Sequence, residues 1–141
     1  GCFNRRVFRN LVDDLRRGDG SRRGTVVMLD MDGLKEINDR DGHVAGDAAI
    51  RAVADAVRAR TRNTDLAVRW GGDEFLVVLP GLSETEGSAR RDEIVAAIAE
   101  GGLSASTGVA AYGEAVDMMD AVSAADAAMY ATKAGRRAPS R

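Results

Sequence analysis

Phe3, Val7, Phe8, Leu11, Val12 and Leu15 recur at helical spacing with Arg and Asp between them, which predicts an amphipathic opening helix ending near Gly18. A polar loop follows over residues 21–24. Thr25-Val26-Val27-Met28-Leu29 is a β-branched apolar run bounded by Gly24 and by acidic residues, the pattern of a buried strand that delivers Asp30 to its carboxyl end. A short helical turn is expected around Leu34 to Ile37, then a glycine-punctuated loop. Ala48, Ile50, Val53, Ala54 and Val57 mark a second long helix reaching about Thr61. Leu66 to Trp70 and Phe75 to Leu79 read as two strands, with Gly71-Gly72-Asp73-Glu74 between them as a hairpin turn whose paired glycines are expected to supply positive φ. Pro80-Gly81 stops the second strand. An Ala-rich helix is expected over residues 84–98, and a strand interrupted at Gly108 over 103–111. A last helix over 118–133 would carry Met118, Val122, Ala125, Met129 and Tyr130 on one face.

The predicted order is α, β, α, α, β-hairpin, α, β, α. Strands separated by helices, with one hairpin, give an α+β fold of the palm type, an open sheet with helices packed around it. The chain has 141 residues, 45% hydrophobic and 30% charged, with no internal repeat, so one domain over 1–141 is expected. A chain of this length buries about two-thirds of its unfolded surface and needs no disulfide or structural metal. Cys2 is its only cysteine, which fits a reducing compartment and rules out a disulfide scaffold or cysteine-based zinc site. A net charge of -2 argues against a general nucleic-acid binder. No apolar run approaches the roughly 20 residues of a membrane span, and no signal-peptide pattern opens the chain. The start at Gly1-Cys2-Phe3-Asn4, inside a helix approach, suggests a cytoplasmic piece of a longer protein whose other parts could be membrane-anchored.

The chemistry concentrates in Asp30-Met31-Asp32-Gly33-Leu34-Lys35-Glu36-Ile37-Asn38-Asp39, followed by Gly42-His43 and Gly46-Asp47. Asp-x-Asp-Gly occurs twice, but a calcium loop needs oxygen ligands at positions 1, 3 and 5, Gly at 6 and Glu at 12. Starting at Asp30 puts Leu34 at position 5 and Asp41 at position 12, and starting at Ile37 loses the first ligand. The alternative is a magnesium-phosphate site built from two places. Asp30 at a strand end and Asp73 in the hairpin turn meet if their strands are neighbours, and hard oxygen ligands suit Mg²⁺, which takes its remaining ligands from water and a nucleotide. Gly71 and Gly72 would let phosphate or base approach the backbone. An isolated hairpin of this kind would be a solvated turn. Here it comes with a strand-end Asp, Lys35 five residues on and a Gly-His-x-x-Gly-Asp segment.

Trp70-Gly71-Gly72-Asp73-Glu74-Phe75 resembles the signature of the GGDEF domain, the catalytic module of diguanylate cyclases. Asp30 to Lys35, Asn38-Asp39, Gly42-His43 and Gly46-Asp47 are similar to the family's second block at matching spacing. Asn4-Arg5-Arg6 resembles its opening block, and Asp126-Ala127-Ala128-Met129-Tyr130 with Lys133 its closing one. The resemblance implies a palm-like fold related to nucleotide cyclases, and condensation of two GTP into cyclic di-GMP with release of pyrophosphate across a homodimer. It implies that Asp30, Asp73 and the Met31 carbonyl hold two Mg²⁺ (Mn²⁺ as an alternative) and that Asp73 and Glu74 are catalytic. Asn38 and Asp47 match the guanine-reading pair; a carboxylate accepts from the N1 and N2 donors of guanine and finds no such pair on adenine. Lys35, Gly71, Gly72 and Lys133, with Arg136 or Arg137, would face the phosphates.

Arg62-Asn63-Thr64-Asp65 resembles the family's RxxD inhibitory site for product, with Arg69 as a candidate assistant and Arg90 and Arg91 as candidate second-subunit contacts. On its own RxxD reads as a solvated ion pair. The chain also departs from the family pattern. The turn before the opening block is missing, residues 75–108 form a shorter stretch than usual, Ser106-Thr107-Gly108 replaces a more apolar strand, and Gly135-Arg136-Arg137 lacks the usual Asn. His43, the only histidine, is expected to structure its loop. A competing reading is a regulatory domain that binds GTP or cyclic di-GMP without turnover. A polymerase-like enzyme would need a basic track for a template that the chain lacks.

Overall fold

The computed structural model describes Asn10 and residues 23–137, the last two through their backbone alone. The opening helix and Asn4-Arg5-Arg6 lie outside the described residues, apart from Asn10, which is helical. The described elements are β1 (Gly24–Met31), α1 (Leu34–Asp41), α2 (His43–Ala59), β2 (Leu66–Arg69), β3 (Glu74–Pro80), α3 (Glu84–Glu100), β4 (Ala105–Tyr112) and α4 (Met118–Arg137). The strands form one antiparallel sheet in the order β2-β3-β1-β4, with helices on both faces, which is the expected α+β open sheet.

The continuous apolar run of β1 is explained by its central place: all eight residues are buried because helices cover both faces. The alternation of a strand divides the core in two. Val26 and Met28 pack with Leu76, Val78 and the α4 residues Met118, Ala121, Val122, Ala125 and Met129. Val27, Leu29 and Met31 pack on the other side with Val53 and Val57 of α2 and Ile94 and Ile98 of α3. Asp30 and Glu74 continue the rows that face α4, directly opposite each other across β1 and β3. The end of that apolar layer is therefore where carboxylates appear.

Three local expectations are corrected. The segment from Gly42 to Asp47 is not a loop: α2 begins at His43, so Gly42 alone joins α1 to α2, and His43, Gly46 and Asp47 are helical. His43 is thus an exposed first residue of a helix. β4 runs unbroken through Gly108, whose missing Cβ lets α4 approach; an added Cβ would run into the Ala125 carbonyl and lie 2.6 Å from Met129 N. Tyr130 is 51% exposed, whereas the buried stripe of α4 continues from Met129 to Lys133, which is 7% exposed.

Candidate active site

Antiparallel register places Asp30 opposite Glu74, and the Met31 amide donates to the Asp73 carbonyl at 2.9 Å, closing the end of β1 onto the hairpin turn. Carboxylate oxygens of Asp30, Asp73 and Glu74 consequently lie within 4.8 Å of one another. From α4, Lys133 Nζ comes within 2.9 Å of Asp30 Oδ1 and donates to the Met31 carbonyl at 3.3 Å. The Lys133 contact to Oδ1 is a close, buried ion pair. Tyr130, one turn before, donates its hydroxyl to Glu74 Oε1 at 3.3 Å. Asp126, a further turn back, contributes a buried and undonated oxygen, Oδ1. These helix positions, four and seven residues apart from Asp126, share a face.

The electrostatics follow from crowding carboxylates at the edge of a core. Burial pushes the Asp30 carboxyl up to about 6; the Lys133 ammonium opposes the rise and the Asp73 charge adds to it. Glu74 is also raised, first by burial and then by the Asp126 charge, with the Tyr130 hydrogen bond opposing. Glu74 in turn pushes the Tyr130 phenol up. Three convergent hard oxygens from Asp30, Asp73 and Glu74, the first of them on a buried residue, fit a divalent metal of the Mg²⁺ kind.

The signature turn differs in detail from the sequence expectation. Neither Gly71 nor Gly72 has positive φ; the described positive values fall at Gly33, Gly42, Gly81 and Gly102. A Cβ at Gly72 would meet nothing within 4 Å, so what the glycine preserves is open space above the turn. Arg69 donates to the Gly71 carbonyl at 3.2 Å and to the Gly72 carbonyl at 3.1 Å, so it braces this turn.

Asn38 packs its side chain onto Gly46 of α2, where any Cβ would overlap its Oδ1, and Asp47 is the next residue along, exposed. The two positions matched to guanine recognition are thus brought together by α1 and α2. Lys35 is exposed on the first turn of α1, outside the carboxylate cluster, and the side chains of Arg136 and Arg137 are not among those described. Asp32, two residues from Asp30, is held differently: Ser106 donates to Oδ1 at 2.8 Å and Ser104 to Oδ2 at 3.0 Å, which gives the polar serine of β4 a local role.

Arg62 and Asp65 form a fork. Arg62 Nη2 lies 2.6 Å from Asp65 Oδ1, the Arg62 amide donates to Oδ2 at 2.7 Å, and Nη2 also reaches the Pro80 carbonyl at 2.9 Å. The Asp65 side chain is fully covered while Arg62 is 41% exposed, so this pair is more built than a solvated one. Arg90 Nη1 stands 3.8 Å from Asp65 Oδ2 and donates to the Arg60 carbonyl at 2.8 Å, joining the same cluster within one chain. Arg91 turns to Thr107 and Asp92. Tyr130, Asp126 and Arg90 were not assigned these contacts from sequence. The signal available for the first two was their helical spacing from Lys133.

A separate cavity of about 310 Å³ lies between α2 and the β2–β3 hairpin, lined by Ile50, Arg51, Ala54, Val57, Arg58, Ala67, Val68, Arg69 and Phe75. Among the described residues, no helix is long and apolar enough to cross a membrane.

A sequence profile described as "Diguanylate cyclase, GGDEF domain" matches residues 1–139. Diguanylate cyclase DgcS of Shewanella oneidensis is 34% identical over 148 residues, covering 97% of this chain and 49% of that protein, so the chain spans about half the length of this relative. The crystal structure of the GGDEF domain of YfiN (TpbB) from Pseudomonas aeruginosa superposes with a TM-score of 0.79 at 34% identity, covering 96% of this chain and 92% of that one. The GGDEF domain of DgcB from Caulobacter crescentus, solved in complex with cyclic di-GMP, gives 0.83 at 27% identity, covering 96% and 88%. With the family profile spanning residues 1–139 and these relatives and structures matching nearly the whole chain, the chain belongs to the diguanylate cyclase GGDEF-domain family.

Proposed function

We propose that this domain is a diguanylate cyclase that condenses two GTP into cyclic di-GMP and releases two pyrophosphates. The observation that carries the reading is the convergence of Asp30, Asp73 and Glu74 oxygens within 4.8 Å, at the end of a hairpin whose Gly71-Gly72-Asp73-Glu74-Phe75 signature is intact. Asp30, Asp73 and the Met31 carbonyl would hold two Mg²⁺, with Mn²⁺ as a substitute. Bound there, the metal supplies charge neutralisation at the phosphates and activation of the attacking 3′-hydroxyl.

The chain's own residues do the rest. Asn38 and Asp47 read the guanine edge from the α1–α2 junction. Lys35, Lys133 and Arg136 or Arg137 neutralise the triphosphate, which the open space over Gly72, beside Gly71, admits against the backbone. Asp73 is the carboxylate beside the attacking 3′-hydroxyl, with Glu74 next to it, oriented by the Tyr130 hydroxyl. Each domain binds one GTP, and two domains meet face to face so that each hydroxyl attacks the other's α-phosphate. Arg62 and Asp65, with Arg90 beside them, would bind the product and inhibit. Because GTP is a cytoplasmic nucleotide, the domain works in the cytoplasm, with no membrane or nucleic-acid contact of its own.

Incubation with GTP and Mg²⁺, followed by chromatographic identification of the product, tests the reading. Cyclic di-GMP should appear at a rate per domain that rises steeply with protein concentration, and Asp73→Ala should abolish it. Nucleotide binding by calorimetry without pyrophosphate release from concentrated protein would instead establish a non-catalytic regulatory domain.

A further inference from the structure

Lys133 sits where α4 would be expected to bury another apolar residue. It follows Met118, Val122, Ala125 and Met129 on the stripe that packs against the sheet. Its ammonium spans Asp30 Oδ1, at 2.9 Å, and the Met31 carbonyl, at 3.3 Å. Those residues supply two of the ligands that the proposed function gives to a divalent ion. Mg²⁺ needs its oxygens at about 2.0–2.1 Å in near-octahedral order. An ion gripping both residues would therefore lie close to an ammonium held by the same oxygens, in a poorly solvated place where like charges repel strongly. The ammonium is the movable partner, because it is a point charge on a flexible four-carbon stem whereas Asp30 and the Met31 carbonyl are fixed by the central strand.

We propose that Lys133 is an internal counter-cation of the metal site, holding Asp30 and the Met31 carbonyl in the nucleotide-free protein and leaving them when metal enters with the triphosphate. Metal loading and nucleotide binding are then coupled through one side chain. Metal alone must displace the ammonium without bringing it a new anion. Metal arriving with a triphosphate offers that ammonium a new anion. The inference rests on the cyclase reading, since the triphosphate is the anion that receives Lys133.

The test is Mn²⁺ affinity, measured by calorimetry on the full chain with and without a non-hydrolysable GTP analogue. Lys133→Met, which continues the apolar stripe, should bind Mn²⁺ alone at least tenfold more tightly than wild type, and the analogue should enhance its Mn²⁺ affinity far less. Wild-type binding with an unchanged or weaker affinity in Lys133→Met overturns the inference and leaves the cyclase reading standing. No Mn²⁺ binding by wild type even with the analogue overturns both. Should Lys133→Met fail to fold, reductive methylation of wild type decides, because Lys35 and Lys133 are the chain's only lysines and Lys35 is an exposed internal reference. Lys133 should be protected relative to Lys35 in metal-free protein and lose that protection at Mg²⁺ concentrations that calorimetry shows to fill the site; full protection retained with the site filled overturns the inference.

Discussion

Replacing Asp30 by Asn should stabilise the metal-free domain while destroying its function. The carboxyl is 5% exposed and its ionisation is pushed from 3.8 up to about 6, mainly by burial and in spite of the Lys133 ammonium. A carboxyl whose folded-state value lies above its unfolded one holds its proton more tightly in the native state, so its contribution to stability falls as pH rises through that window. The rise to about 6 corresponds to about 3 kcal/mol at pH 7.5, and to about half of that at pH 5. An amide has the shape of the neutral carboxyl but offers Lys133 a weaker partner, so a net gain of about 1–3 kcal/mol is expected, or about 4–12 °C in Tm for a chain of this size. Thermal unfolding in EDTA at pH 7.5 and pH 5 measures it. The reasoning is refuted if the Asp30→Asn protein is no more stable than wild type at pH 7.5, or if its advantage does not shrink at pH 5. The same variant should lose Mg²⁺-dependent stabilisation, which separates the stability effect from the metal site.

Gly46→Ala puts a methyl in the space occupied by the Asn38 side chain and should raise KM for GTP by about 10–100-fold with kcat largely kept, as read from steady-state kinetics. Gly108→Ala forces a Cβ into the backbone of α4 and should cost about 1–3 kcal/mol, seen as a lower Tm; an unchanged Tm would mean that helix and strand separate freely. Arg62→Ala should raise the inhibition constant for cyclic di-GMP at least tenfold without changing the initial rate. Asp65→Ala should do the same and also lower Tm, because its side chain is fully covered and organises the Arg62 fork.

The sheet and its carboxylates were legible in the sequence because β1 and β3 are continuous apolar runs that end in Asp30 and begin after Asp73, and neighbouring antiparallel strands bring such ends together. The start of α2 was not. Gly42 and Gly46 each weaken local helical preference, yet Gly46 lies inside the helix, where its missing Cβ leaves room for the Asn38 side chain of the preceding helix. Gly108 misled in the same way, since a strand glycine marks close approach of a neighbour as readily as a break. Tyr130 lies one residue past Met129 and so about 100° around the helix from it, which turns it out of the core and toward Glu74. Arg62 and Asp65 were legible as a local RxxD pair, whereas Arg90 joins them from α3 across the β2–β3 hairpin, a proximity that no local pattern encodes.

The proposed chemistry depends on Asp30 and Asp73 gripping divalent ions beside a guanine nucleotide. Crystals grown with Mn²⁺ and a non-hydrolysable GTP analogue, with anomalous data collected at the manganese edge, test this directly. The predicted result is anomalous peaks within coordination distance of both carboxylates and of the nucleotide phosphates. Ordered nucleotide with no manganese at either carboxylate, or manganese bound only elsewhere on the surface, would contradict it.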